Sequence, residues 1–119
     1  MGDRFIMKNK SRKAKSRYLQ NLVRDRIVKL YPALTKKDIR TSNTGENGSD
    51  VKLLTHIAKK LFNYSVECKN RKDLKMIFSF YKQASTHGTA EPLLIIKSNG
   101  EKPLAIIDME HLFKLQENN

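Results

Sequence analysis

The sequence predicts a mixed α/β domain in which helices pack on a sheet. Three observations carry that reading. A long amphipathic helical pattern opens the chain, short apolar runs cluster before and after a second helical pattern, and an Asn-Gly turn separates the last two runs. The chain has 119 residues, enough for one domain and too few for two. Residues 1–10 read as a flexible basic lead-in and residues 11–119 as a single domain.

Residues 11–31 form the first helical pattern. Leu19, Leu22, Val23, Ile27 and Leu30 recur at helical spacing and make one apolar stripe. Ser11 can cap the start and Pro32 ends the run. Ile39 to Ser42 reads as a short edge strand. Residues 42–50, SNTGENGSD, are a loop by composition. Asp50 to Leu54 reads as a strand, Thr55 to Phe62 as two helical turns, and Tyr64 to Lys69 as another strand. Lys72 to Ser85 is the second long helical pattern, with Leu74, Ile77, Phe78 and Tyr81 on its stripe and His87-Gly88 as its stop. Leu93 to Lys97 and Leu104 to Asp108 flank Ser98-Asn99-Gly100-Glu101, which predicts a hairpin. Residues 109–116 predict a short terminal helix.

Charge narrows the function. The formal net charge is +12 and the pI about 10.0. Such a chain repels itself on compaction, so a polyanionic partner is expected, nucleic acid ahead of an anionic membrane surface. Lys13, Arg17, Arg24 and Arg40 are the expected phosphate contacts; such contacts position a duplex and carry no base code. A single cysteine, Cys68, excludes an internal disulfide. With no apolar run of membrane-spanning length and no signal-peptide core, an intracellular, cytoplasmic protein is expected. His56, His87 and His111 are scattered and lack zinc-ligand spacing.

The chemistry concentrates in YSVECKN, residues 64–70. On a strand, Ser65, Glu67 and Lys69 share one face, while Tyr64, Val66 and Cys68 share the other. Glu67 and Lys69 alone admit a plain reading as a surface ion pair. Asp73-Leu74-Lys75 has the same form, but on a helix its two charges do not share a face. Asp50 begins a strand after the Gly-rich loop, and pairing of strands 50–54 and 64–69 brings it near Glu67. Converging carboxylates raise each other's pKa unless a cation intervenes. Mg²⁺ (or Mn²⁺) takes oxygen ligands of this kind, polarises a phosphoryl group and generates hydroxide from water. A nearby Lys can orient that water or neutralise developing charge.

Asp50 followed by the Glu67-Cys68-Lys69 triplet resembles the PD-(D/E)XK nuclease superfamily, and the stretches SRYLQNLVRDRI, GENGSDVKL and YSVECKN resemble small phage endonucleases akin to Holliday-junction resolvases. The resemblance implies a restriction-endonuclease-like core of helix, β-meander, helix and β-hairpin with a short C-terminal helix. It implies metal ligation by Asp50, Glu67 and the backbone carbonyl of Cys68, with Lys69 as the motif lysine. It departs at Ser49, where the motif has Pro, and at Gln20, where many resolvase-like members carry a Glu. Glu46 is either the replacement carboxylate or a solvated loop acid. The implied activity is metal-dependent DNA cleavage, on branched or four-way-junction DNA, by a homodimer. The alternatives are another nuclease of the superfamily (nicking, restriction-like or end-processing) and a non-catalytic basic nucleic-acid-binding protein.

Overall fold

In a computed structural model of the chain, residues 11–117 are described; the expected lead-in, residues 1–10, lies outside the described residues. The chain divides after Arg71 into two compact units. Together, the described residues hold four α-helices and two small antiparallel sheets of two strands each. This mixed α and β content agrees with the expected class.

The first unit opens with α1, Arg12–Leu30. Ser11 caps it, its side-chain oxygen accepting from the Ala14 amide at 3.2 Å. At the other end Tyr31 is extended, as a residue before proline must be, and its amide still donates to the Ile27 carbonyl at 3.1 Å. Val23 and Ile27 are the buried members of the expected stripe, while Leu22 is 38% exposed. Strands β1 (Ile39–Thr41) and β2 (Val51–Leu53) pair antiparallel, with Ile39 opposite Leu53 and Thr41 opposite Val51. Ile39 and Val51 join Val23, Ile27, Leu34, Ala58, Phe62 and Cys68 in one apolar core. Helix α2, His56–Leu61, is capped by Thr55, whose hydroxyl accepts from the Ala58 amide at 3.2 Å.

The expected third strand of the meander is shorter than the sequence suggested. Tyr64 to Lys69 contracts to one isolated antiparallel bridge, Val66 opposite Val51. The Asp50 amide also donates to the Val66 carbonyl, at 2.8 Å. Two successive residues thus face one, the pattern of a bulge, and a bulge interrupts a ladder. Burial still alternates from Ser65 to Lys69, with Glu67 and Lys69 exposed and Cys68 buried, while Tyr64 is exposed rather than on the buried side.

The second unit begins with a 3₁₀ turn, Lys72–Leu74, and α3, Lys75–Ser85, so the expected helix splits at Leu74. Leu74 occupies the cap position and has no side-chain oxygen to satisfy the first amides. Strands β3 (Leu94–Ile96) and β4 (Leu104–Ile106) form the expected hairpin, with Ile95 opposite Ala105. The Glu101 amide donates to the Ser98 carbonyl at 3.1 Å, and Gly100 takes the positive φ of 79° that this turn requires. Helix α4, Met109–Glu117, follows. Phe113 is the buried apolar side chain of this unit.

Core position decides mutational cost. Ile27→Ala removes a fully buried side chain and is expected to lower stability by about 2–5 kcal/mol. Leu22→Ala, on the same helix but open to solvent, is expected to cost under about 1 kcal/mol. Denaturant unfolding followed by circular dichroism measures both.

Candidate active site

Asp50 sits at the end of the β1–β2 loop. Its carbonyl accepts from the Ser42 amide at 2.9 Å, continuing the ladder one step past β2. Its carboxylate reaches the neighbouring segment, where Oδ2 accepts from the Cys68 amide at 2.7 Å. A hydrogen bond to an ionised acceptor is among the stronger ones available to a protein. Backbone and side chain of Asp50 therefore both engage the 66–68 segment. Asn70 fixes the far end of that segment, its side-chain amide donating to the Lys15 carbonyl of α1 at 3.3 Å.

Glu67 and Lys69 flank Cys68. The Lys69 ammonium lies 3.3 Å from Glu67 Oε2, and both side chains are more than half exposed. An exposed pair of this kind contributes at most about 1 kcal/mol, so neither group is locked by the other. Cys68 between them is buried, and its thiol is pushed up to about 11, first by burial and then by the negative charges of Asp50 and Glu67. Both carboxylates thus act on one sulfur atom.

A cleft of about 390 Å³ opens beside Asp50. One wall is α1, which contributes Arg12, Lys13, Arg17 and Gln20. Lys13, Arg17 and Gln20 follow one another at intervals of four and three, and Arg12 lies two turns before Gln20, which places them along one side of a helix. The opposite wall is the 42–46 stretch of the loop with Asp50. Arg17 ties the walls together, donating to Thr41 Oγ1 at 3.2 Å and to the Ser42 carbonyl at 3.0 Å. Arg12 is a lining cation that a search for the apolar stripe passes over; counting back from Gln20 along the same helical face finds it.

Gln20 carries the one buried side-chain polar atom without a hydrogen-bond partner among the described residues, Oε1. Leaving such an acceptor unpaired costs about 1–3 kcal/mol. It lines the same cleft as Asp50.

Glu46 lines the cleft with both carboxylate oxygens already engaged. Arg40 grips it with two bonds, 2.9 Å to Oε1 and 2.8 Å to Oε2, and the Asn43 amide adds a third at 2.8 Å. Lys52, opposite Arg40 on β2, lies 4.0 Å from Oε2 and also donates to the Asn47 carbonyl. Arg40 first, and then the Asn43 amide, hold the Glu46 carboxyl down at about 2. The loop is thereby clamped. Gly48 completes it at φ 93°, where a side chain would be strained.

Of the four expected phosphate contacts, Lys13 and Arg17 line the cleft. Arg40 is committed to Glu46, and Arg24 pairs with its neighbour Asp25 at 3.0 Å. Glu67 and Lys69 lie outside the cleft lining, on the segment that Asp50 clamps.

Among the described residues no three His, Cys, Asp or Glu side chains cluster as a metal site. The acidic donors near Cys68 are two, Asp50 and Glu67. Asp50 and the Gln20 amide oxygen line the cleft and Glu67 lies outside it; all three are oxygen donors, the type that suits Mg²⁺ or Mn²⁺ rather than zinc. The orphaned Gln20 oxygen is the observation that fits a cation here. Among the described residues no helix is long and apolar enough to cross a membrane. Comparisons with protein-family models, curated proteins and solved structures return no match.

Two measurements check this geometry. The Glu46 carboxyl, depressed in the folded chain, stabilises it fully above the ordinary carboxylate range of about 4.3, and that contribution is lost as pH falls towards about 2. A carbon-detected NMR titration is expected to show Glu46 ionised through pH 4, and Arg40→Ala to return it towards the ordinary range. The Cys68 thiol, buried and protonated at neutral pH, is expected to react with a disulfide reagent at pH 8 far more slowly in the native chain than in denaturant.

Proposed function

We propose that this protein is a divalent-metal-dependent DNA endonuclease of the PD-(D/E)XK type, selective for branched DNA such as a four-way junction. The observation that carries this reading is the 2.7 Å bond from Asp50 to the Cys68 amide. It links an acid and an ECK triplet, nineteen residues apart in sequence at their far ends, beside a cleft lined with cations.

Asp50, Glu67, the Cys68 carbonyl and Gln20 Oε1 are the residues that would hold the ion. Once bound, it polarises the phosphoryl oxygens and lowers the pKa of a coordinated water. The protein's own groups do the rest. Lys69, held near Glu67 by a weak pair, is available to neutralise charge developing on the phosphate. Lys13 and Arg12 meet the nucleic-acid backbone along α1, without base readout. Arg17 fixes the helix against the loop and so sets the width of the cleft. A junction with near two-fold symmetry needs two cuts, which suits two copies of the chain.

One observation favours the alternative, a basic nucleic-acid-binding protein without hydrolysis. Glu67 and Lys69 meet each other in solvent, outside the cleft lining.

Cleavage assays on four-way-junction, plain duplex and single-stranded DNA, with Mg²⁺, Mn²⁺ or chelator, separate these readings. Paired cuts near the branch point are expected, and chelator is expected to abolish them. Asp50→Ala, Glu67→Ala and Lys69→Ala are each expected to lose at least about a hundredfold in cleavage rate, the scale of one catalytic group, while still binding DNA. Gln20→Glu adds a carboxylate and is expected to lower the Mg²⁺ concentration needed for half-maximal rate. Duplex cleavage alone favours another nuclease of the superfamily. Binding with no metal-dependent cutting establishes the alternative.

A further inference from the structure

The charge of the chain is divided unevenly. Residues 1–71 hold eighteen Lys and Arg against six Asp and Glu, which accounts for the whole net charge of +12, whereas residues 72–119 hold six of each. The affinity for polyanions that such charge confers therefore belongs to the first unit.

Within that unit lies a second cleft, of about 350 Å³, that shares no lining residue with the cleft beside Asp50. The two adjoin along the chain, since Ser49 and Val51, the neighbours of Asp50, line the second. Lys52, Lys59, Asn63, Tyr64 and Ser65 supply its other functional groups, and among the described residues no Asp or Glu lines it. It therefore offers nothing to a metal cation and two ammonium groups to an anion. Lys52 is partly engaged, 4.0 Å from Glu46 Oε2 and donating to the Asn47 carbonyl. Lys59, in the last turn of α2, is exposed and enters none of the ion pairs among the described residues.

Tyr64 is the unusual member. Strand alternation predicts it on the buried side, yet it is 44% exposed. Its amide donates to the Phe62 carbonyl at 3.0 Å, closing a three-residue turn. Its ring rests on the buried ring of Phe62, with centroids 4.9 Å apart and planes tilted by 58°. The phenol ring is thus anchored to the core through its neighbour while apolar surface stays open in the cleft. An anchored aromatic ring beside cations suits a nucleobase, which stacks on the ring while its phosphate meets the cation. A duplex keeps its bases stacked on one another, so the matching ligand is unpaired. The volume agrees: it lies at the low end of small-ligand clefts, roughly 300–1,000 Å³, with room for one nucleotide and not for a helix.

We propose that this second cleft binds an unpaired nucleotide of a single strand, its base against Tyr64 and its phosphate on Lys59. Asn63 and Ser65 supply donors and acceptors for the polar edges of the base and sugar. The proposal is independent of the nuclease reading, since neither Asp50 nor Glu67 enters it.

Fluorescence anisotropy of labelled oligothymidylate and oligouridylate on the full chain, with chelator present so that nothing is cut, tests it. Binding that depends on Tyr64, to either strand, supports the proposal. Tyr64→Ala is expected to weaken that binding roughly fivefold to a hundredfold, the effect of losing one base stack, and to leave affinity for a blunt duplex unchanged. Tyr64→Phe keeps the ring and is expected to keep the affinity. Lys59→Gln is expected to reduce the slope of log K against log salt by about 0.7, one phosphate contact on a single strand. Photo-cross-linking needs no variant: a strand carrying 5-iododeoxyuridine is expected to join the wild-type chain at Tyr64. The proposal is overturned by a wild-type chain that binds neither strand, by an equal loss on duplex and single strands in Tyr64→Ala, by a Tyr64→Phe chain as weak as Tyr64→Ala, or by a cross-link outside this cleft.

Discussion

One hydrogen bond organises the basic unit: the Asp50 carboxylate on the Cys68 amide, at 2.7 Å. Between β2 and the 66–68 segment the sheet ladder is reduced to an isolated bridge. A bridge alone specifies register poorly, because little backbone pairing opposes a slip. The carboxylate adds a charge-assisted bond at that point and fixes which residues follow. Glu67 and Lys69 then emerge on either side of a buried Cys68. The same carboxylate is the acid that the nuclease reading requires, so scaffold and proposed chemistry meet in one side chain. The bond occupies Oδ2, and a carboxylate has acceptor capacity beyond one bond.

The loop before Asp50 is held with equal economy. Glu46 collects Arg40, the Asn43 amide and the nearby Lys52 ammonium, and Arg17 braces the loop from α1. Cations that composition alone assigns to phosphate binding thus serve partly as internal fasteners. The cations that line the cleft, Arg12, Lys13 and Arg17, all come from α1.

The sequence made the local elements legible wherever periodicity and caps agreed. Ser11, Thr55 and the Asn99-Gly100 turn mark boundaries that the structure keeps, because each supplies a specific hydrogen bond or a specific φ. The third strand was misread because β-propensity and alternation cannot reveal a bulge; Asp50 and Val51 both facing Val66 is a tertiary event. The break at Leu74 was visible in principle, since no capping oxygen occupies that position. For the site, the pairing of Asp50 with the 66–68 segment was foreseeable from spacing. The fate of Glu46 was not, since its partner Arg40 lies across a turn whose path the composition leaves open. Gln20 was singled out by resemblance, and its buried, unpaired oxygen is a separate physical fact about the same residue.

The confinement of charge to residues 1–71 makes the chain a block polyelectrolyte. Added salt screens the field of the basic block and weakens its hold on any polyanion. Apolar burial is not weakened by such screening, and excluded salts strengthen it. Ionic strength therefore acts on the long-range field of residues 1–71 and leaves the apolar burial of both units in place.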